Sequence, residues 1–181
     1  MTDEEYQALA ARIESGSLLI GVDRSMARKL YTDVSLSRIK AETGEAPYFE
    51  KMVVLGAFVG GPVSLLASSV MAGLAFGWWA VLVIPVSIVV YFVFAGASSM
   101  PKQSMTGVSV VLALALLSLY LDWFPSDSVA WYTALVLFSL WNARLVYAAA
   151  THFIRAFVVR NRRAYEFLAP HIHLREANSE G

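Results

Sequence analysis

The chain has 181 residues, of which 57% are hydrophobic and 15% are charged, and its 14 basic and 14 acidic side chains leave no formal net charge. Soluble domains carry about 25% charged residues, so this composition argues against an ordinary soluble domain, and the mean hydropathy of +0.57 agrees. The even charge balance argues against a nucleic-acid-binding surface, which requires an excess of basic residues. Because the chain has no cysteine, disulfides, thiol nucleophiles and cysteine metal sites are excluded.

The N-terminal segment, residues 1–51, is predicted to form cytoplasmic amphipathic helices. It is charged and lacks the short apolar run and cleavage site of a signal peptide. Thr2 and Glu5 have the spacing of a capping box, which predicts the start of a first helix. A second amphipathic helix is predicted to begin near Asp23 or Ser25 and to end at Thr43 and Gly44. It either covers the membrane domain of its own chain or docks on a membrane surface or a cytoplasmic partner.

Residues 52–154 are predicted to form a transmembrane domain of four spans, because this segment is almost free of charge. About 20 residues at roughly 1.5 Å each cross a bilayer core, so the third span is barely long enough. The predicted fold class is therefore all-α, an integral membrane four-helix bundle with cytoplasmic amphipathic N-terminal helices. The spans are about Met52–Phe76, Ala80–Ser98, Gly107–Leu121 and Val129–Ile154.

The placement of basic residues predicts that both termini are cytoplasmic. With four crossings, 13 of the 14 Lys and Arg residues fall on the side of the termini and none falls in the opposite loops. Trp78, Trp79 and Trp123 lie on the opposite side, where aromatic rings rest at the membrane interface. Small size and compactness favour the bacterial inner membrane, with membrane lipids as partners and no nucleic acid.

The first span carries a repeat of small residues every four positions, which predicts close packing against another helix. The partner helix is either one of the protein's own spans or a span of another subunit, in a homo-oligomer or with other membrane subunits. A pore-lining face is a third alternative. The repeat consists of Gly56, Gly60, Ser64, Ser68 and Ala72.

Arg144 is the one ionisable residue deep within a predicted span, where a charge costs roughly 2.5–3.5 kcal/mol on insertion scales. A polar strip of Asn142, Tyr147, Thr151 and His152 accompanies it. This strip is a candidate ion conduit, a lipid-headgroup site or a contact for an acidic group of another subunit. Alternatively, the Arg144 side chain snorkels toward the cytoplasmic interface.

Residues 155–181 are predicted to be a cytoplasmic helical extension that ends in a polar, frayed tail. Four arginines of this segment lie where they either contact anionic lipid headgroups or only fix the topology. They are Arg155, Arg160, Arg162 and Arg163.

No catalytic, cofactor-binding or metal-binding residue is predicted. A pairing of Ser68 with His152 lacks a nucleophile elbow, and His171 and His173 lack further nearby ligands. The favoured function is a non-enzymatic integral membrane component that assembles into a homo-oligomer or a larger membrane complex, such as secretion or transport machinery. The alternative is a small oligomeric channel or transporter whose conduit includes Arg144, and a membrane-embedded enzyme comes third.

Overall fold

The computed structural model describes residues 1–100 and 102–177, and the chain is mostly helical (80%), so the all-α class is confirmed. The chain divides into two compact units. The first, here called the terminal unit, consists of Met1–Met52 and Ala149–Gly181. The second, here called the apolar unit, consists of Val53–Ala148.

Eight helices and two strands follow one another within the described residues. Two short 3-10 turns, Gly77–Trp79 and Ala169–His171, join successive elements. In chain order the elements are α1 (Asp3–Glu14), β1 (Leu18–Val22), α2 (Arg24–Asp33), α3 (Leu36–Thr43), α4 (Tyr48–Phe76), α5 (Ala80–Ser98), α6 (Thr106–Tyr120), α7 (Asp127–Arg160), α8 (Arg162–Leu168) and β2 (Ile172–Glu176).

Local sequence signals set the ends of the first helices. The predicted capping box is confirmed, because the Glu5 amide donates to Thr2 Oγ1 at 3.2 Å and the Thr2 amide donates to Glu5 Oε2 at 2.6 Å. The hydrogen bond that the Thr2 amide donates to the Glu5 carboxylate lowers the pKa of Glu5. Gly44 ends α3 with φ +78°, a left-handed conformation that glycine adopts without a steric penalty.

The prediction of one continuous helix from Asp23 to Gly44 is wrong. Helix α2 ends at Asp33, Val34 has extended backbone angles, and α3 begins at Leu36. Ser35 causes the interruption because its hydroxyl accepts the amide of Arg38 at 3.3 Å and so starts a new helix.

A two-stranded antiparallel ribbon joins the two ends of the chain in the terminal unit. Strands β1 and β2 pair with Leu18 opposite Glu176 and Val22 opposite Ile172. The side chains of Leu18, Ile20 and Val22 are buried, so the ribbon contributes to the core of this unit. The prediction of a frayed tail is therefore wrong for Ile172–Glu176, and residues 178–181 lie outside the described part.

Helix α7 contacts α4, α5 and α6 in the apolar unit. The Tyr132 hydroxyl lies 2.6 Å from Ser87 Oγ on α5, and Trp141 Nε1 donates to Ser109 Oγ on α6 at 3.0 Å. On α4, Gly60 lies against Asn142. Neighbouring helices are thus joined to α7 by polar side chains that point inward.

Two helical stretches are long and apolar enough to cross a membrane, Tyr48–Ser98 and Asp127–Arg160. The first consists of α4, the turn Gly77–Trp79 and α5, and the predicted turn at Gly77 is confirmed. Helix α6 is apolar but shorter. These helices support a location in a membrane.

Candidate functional site

Arg144 is buried and bound to neutral groups only. Its side chain is 8% exposed, Nη1 donates to the Ser104 carbonyl at 2.7 Å, and Nη2 donates to Gln103 Oε1 at 3.0 Å. The guanidinium carbon lies 4.5 Å from the centre of the Phe94 ring, a distance that allows a cation–π contact. Across residues 1–100 and 102–177, Arg144 takes part in no ion pair, and its Nε has no hydrogen-bond partner. Arg144 therefore fastens the segment between α5 and α6 to α7.

The predicted polar strip does not form one continuous face. Asn142 and Arg144 are two positions apart, which places them roughly 200° apart around a helix. Asn142 instead lies against Gly60 and donates to the Phe138 carbonyl at 2.9 Å. Of the other residues in the predicted strip, Tyr147 is half-buried, Thr151 is buried and His152 is exposed.

The small-residue repeat of α4 faces the interior of the apolar unit along most of its length. A Cβ at Gly60 would lie 3.3 Å from Asn142 Oδ1, and a Cβ at the neighbouring Gly61 would lie 2.7 Å from the Tyr91 hydroxyl. Ser64, Ser68 and Ala72 are buried, whereas Gly56 is exposed with nothing within 4 Å of a built Cβ. The contacts of Gly60 and Gly61 with Asn142 and Tyr91 thus support packing of the repeat within the chain. A role of the repeat as a subunit interface stays a prediction.

The serine hydroxyls on this face donate to the backbone of their own helix. Ser64 Oγ donates to the Gly60 carbonyl at 2.6 Å, and Ser68 Oγ donates to the Leu65 carbonyl at 2.7 Å. Such bonds satisfy a buried hydroxyl within the helix. His171 lies in a 3-10 turn, and His173 lies in β2 opposite Gly21.

Two of the four C-terminal arginines form ion pairs within the terminal unit. Arg162 contacts Asp3 at 2.5 Å and Glu166 at 2.9 Å, and it also donates to the Met1 carbonyl. The hydrogen bond with Asp3, and next that with Glu166, raise the pKa of Arg162. Arg160 forms the second ion pair, with Glu45 at 3.3 Å. Of the remaining two arginines, Arg163 lies near Gly44 and Arg155 is exposed. Their contact with headgroups stays a prediction.

The terminal unit contains a groove that the sequence did not reveal, here called the β1 groove. Its volume is about 670 Å³. One wall of the groove is formed by α1 and β1, and the other wall is formed by the C-terminal part of α7. Because the two walls come from opposite ends of the chain, their residues share no local sequence pattern. The lining residues are Ile13, Glu14, Leu18, Leu19, Ile20, His152, Arg155, Ala156, Val159 and Arg160.

No protein-family model, curated protein or solved structure matches this chain. Function is therefore proposed from the residues themselves. Three features of the described chain bear on it: the apolar helices, the Arg144 contacts and the β1 groove.

Proposed function

We propose that the chain is an integral membrane protein of four crossings with both termini in the cytoplasm, and that it is a non-enzymatic component of a homo-oligomer or larger membrane complex. In this proposal, α4 to α7 form a membrane four-helix bundle. The terminal unit presents a folded surface to cytoplasmic partners. Secretion or transport machinery is the class of complex that this arrangement suits.

The distribution of polar and apolar side chains in the apolar unit carries the membrane part of the proposal. Within the described residues of this unit, polar groups such as Ser139, Asn142 and Arg144 are buried, while Leu66, Val81 and many other large apolar side chains are exposed. Only 11% of the most apolar window of Tyr48–Ser98 is buried. Water disfavours this inverted arrangement, whereas hydrocarbon favours it. Lipid is therefore the solvent that fits these outer surfaces.

The short α6 is the weakest of the four proposed crossings. Its 15 residues extend for roughly 22 Å, against a hydrocarbon core of about 30 Å. A span of this length is accommodated by local thinning of the bilayer or by flanking residues at the interface. Exposed Trp123, which follows α6, and exposed Trp78 and Trp79, which follow α4, suit that interface.

Labelling of introduced cysteines from outside the cell tests the topology. A cysteine is introduced at Thr2 in one variant and at Ser126 in another, since the chain has no other cysteine. In intact cells, an impermeant thiol reagent is expected to label the variant at Ser126 and not the variant at Thr2. A third variant at Ala177 should behave like the variant at Thr2. Opposite labelling of the Thr2 and Ala177 variants would contradict four crossings.

Crosslinking in native membranes, followed by mass measurement of the purified protein in detergent, tests the assembly part. The expected result is a defined oligomer or a recurrent partner subunit. The open surface at Gly56 is the part of the small-residue repeat that another subunit can approach, so Gly56→Leu is expected to reduce crosslinking. A monomer without any crosslinked partner would overturn the assembly proposal.

The channel alternative depends on Arg144, and its contacts favour a positioning role instead. Arg144→Leu removes both hydrogen bonds to Gln103 and Ser104, so amide exchange in the α5–α6 segment is expected to accelerate. Lysine lacks the planar fork of donors, so Arg144→Lys should rescue only in part. Ion flux in reconstituted vesicles that depends on Arg144 while exchange stays unchanged would favour the channel.

A further inference from the structure

One edge of β1, here called the open edge, has no backbone hydrogen-bond partner among the described residues of the terminal unit. The amide of Ala177 donates to the Ser17 carbonyl at 3.0 Å, and bonded and non-bonded pairs alternate along an antiparallel ladder. Leu19 and Gly21 therefore direct their backbone groups toward β2, whereas Leu18 and Ile20 direct theirs away from it. Within residues 1–100 and 102–177, no backbone hydrogen bond reaches these outward groups of Leu18 or Ile20.

The β1 groove runs along this open edge. Successive residues of a strand point to opposite faces of its sheet. Because Leu18, Leu19 and Ile20 all line the groove, the groove touches both faces of β1. Among the described residues, none of β2 lines it. A groove that meets both faces of one strand and avoids its partner lies at the unpaired edge.

The wall formed by α7 carries positive charge. His152, Arg155, Ala156 and Val159 follow at helical spacing on one face of α7 and line the groove. Arg155 is exposed and makes no hydrogen bond or ion pair with the part of the chain that the structure describes. Arg160 is 3.3 Å from Glu45. The one carboxylate among the lining residues, Glu14, belongs to α1, so the α7 wall itself is cationic.

We propose that the β1 groove binds an extended acidic segment of a partner protein, which adds a strand to the open edge of β1. An added strand gains main-chain hydrogen bonds from the edge, and alternate side chains give specificity. Carboxylates on one face of the added strand reach Arg155, and apolar side chains on the other face extend the apolar lining. The inference rests on the proposed function, because it names the chemistry of the cytoplasmic partner.

The full chain in mild detergent is titrated with a fluorescent peptide in which glutamate and valine alternate. Three matched peptides serve as controls: one with lysine in place of glutamate, one with its edge-facing amides N-methylated, and one with scrambled order. The glutamate–valine peptide is expected to bind at least about tenfold more tightly than each control, because like charge and lost backbone donors both oppose pairing.

Protein variants locate the binding. Arg155→Gln and Ala156→Trp are each expected to weaken binding by about tenfold, the first by removing the cation and the second by filling the groove. Arg38→Gln and Ala41→Trp make the same changes at exposed positions of α3 and should leave binding unchanged. Thermal unfolding of each variant shows whether the fold is kept.

Amide exchange gives a readout that identifies strand addition. Bound peptide is expected to slow exchange at Leu18 and Ile20, whose amides become bonded, and to change it little at Leu19, which already faces β2. Binding without this alternation, or binding that is insensitive to Ala156→Trp and to N-methylation, would overturn the inference. Micelles of phosphatidylglycerol that bind with the same variant dependence, while the peptide does not bind, would reassign the groove to lipid and also overturn it.

Separate measurements test the proposed topology and the proposed partner. Peptide binding is measured in detergent and does not depend on orientation in the membrane. If the thiol labelling contradicts four crossings while the peptide binds, only the topology fails. If the labelling agrees while the peptide does not bind, only the partner inference fails.

Discussion

Two tyrosines of the terminal unit have opposite hydrogen-bonding states. The Tyr31 hydroxyl is buried and has no partner among the described residues, and its side chain lies beside Phe153 with ring centres 6.5 Å apart. The Tyr6 hydroxyl lies 2.9 Å from the Val158 carbonyl and 2.6 Å from the Val159 carbonyl. A buried polar group without a partner lowers stability, and a bonded one raises it.

These states predict opposite effects of the same substitution. Tyr31→Phe removes an unbonded hydroxyl and is expected to leave the free energy of unfolding unchanged or to raise it by about 1 kcal/mol. Tyr6→Phe removes a bonded hydroxyl and should lower it by about 1 kcal/mol. Denaturant unfolding in detergent at neutral pH measures both. A loss of stability in Tyr31→Phe as large as in Tyr6→Phe would contradict the assignment of partners.

The same two residues predict alkaline instability. Burial raises the pKa of Tyr31 and of Tyr6 above the ordinary value of 10.0, and Glu50 adds to the effect at Tyr31. The unfolded chain loses these protons at lower pH than the folded chain does. The free energy of unfolding is therefore unaffected by these two titrations below about pH 10 and falls as the pH rises above it, because the folded chain resists the loss of these protons. Unfolding measured between about pH 8 and about pH 11 should show a decline that Tyr31→Phe reduces.

Among the helices, α4 contains three glycines that differ in how closely other side chains approach them. A Cβ added at Gly60 or Gly61 meets Asn142 or Tyr91, whereas a Cβ added at Gly56 has no atom within 4 Å. Overpacking of this kind costs about 1–3 kcal/mol. Gly60→Leu and Gly61→Leu are thus expected to lower the thermal midpoint in detergent, and Gly56→Leu is expected to retain it. Equal losses at all three positions would show that these contacts do not determine the packing.

Helices were more predictable from the sequence than the ribbon was. The capping box at Thr2, the glycine at Gly44 and the turn at Gly77 are local signals, and each lies where the structure has a helix end. The ribbon joins Leu18–Val22 to Ile172–Glu176, and such a long-range pairing leaves no periodic pattern in either segment. The partners of Arg144 were missed for the same reason, because Gln103 is an ordinary loop residue in the sequence.

For the molecule as a whole, the sequence predicted an apolar, helical chain. The two long apolar stretches, Tyr48–Ser98 and Asp127–Arg160, support a location in a membrane. The depth of its aromatic residues is testable. Trp78 and Trp123 are expected to lie near the headgroups, so lipids brominated close to the glycerol should quench them more than lipids brominated at the chain end. Single-tryptophan variants separate the two signals. Stronger quenching from the bilayer centre would contradict the proposed interface.

The pairing of β1 with β2 also affects the order of biosynthesis. Strand β1 precedes the apolar helices in the chain, so its partner strand leaves the ribosome only after the apolar helices of the described chain have been made. Until then both edges of β1 lack a strand partner, and unpaired strand edges favour association with other chains. Messages that end before Ile172 are therefore expected to yield products that cellular proteases remove quickly, even when their apolar helices have been inserted.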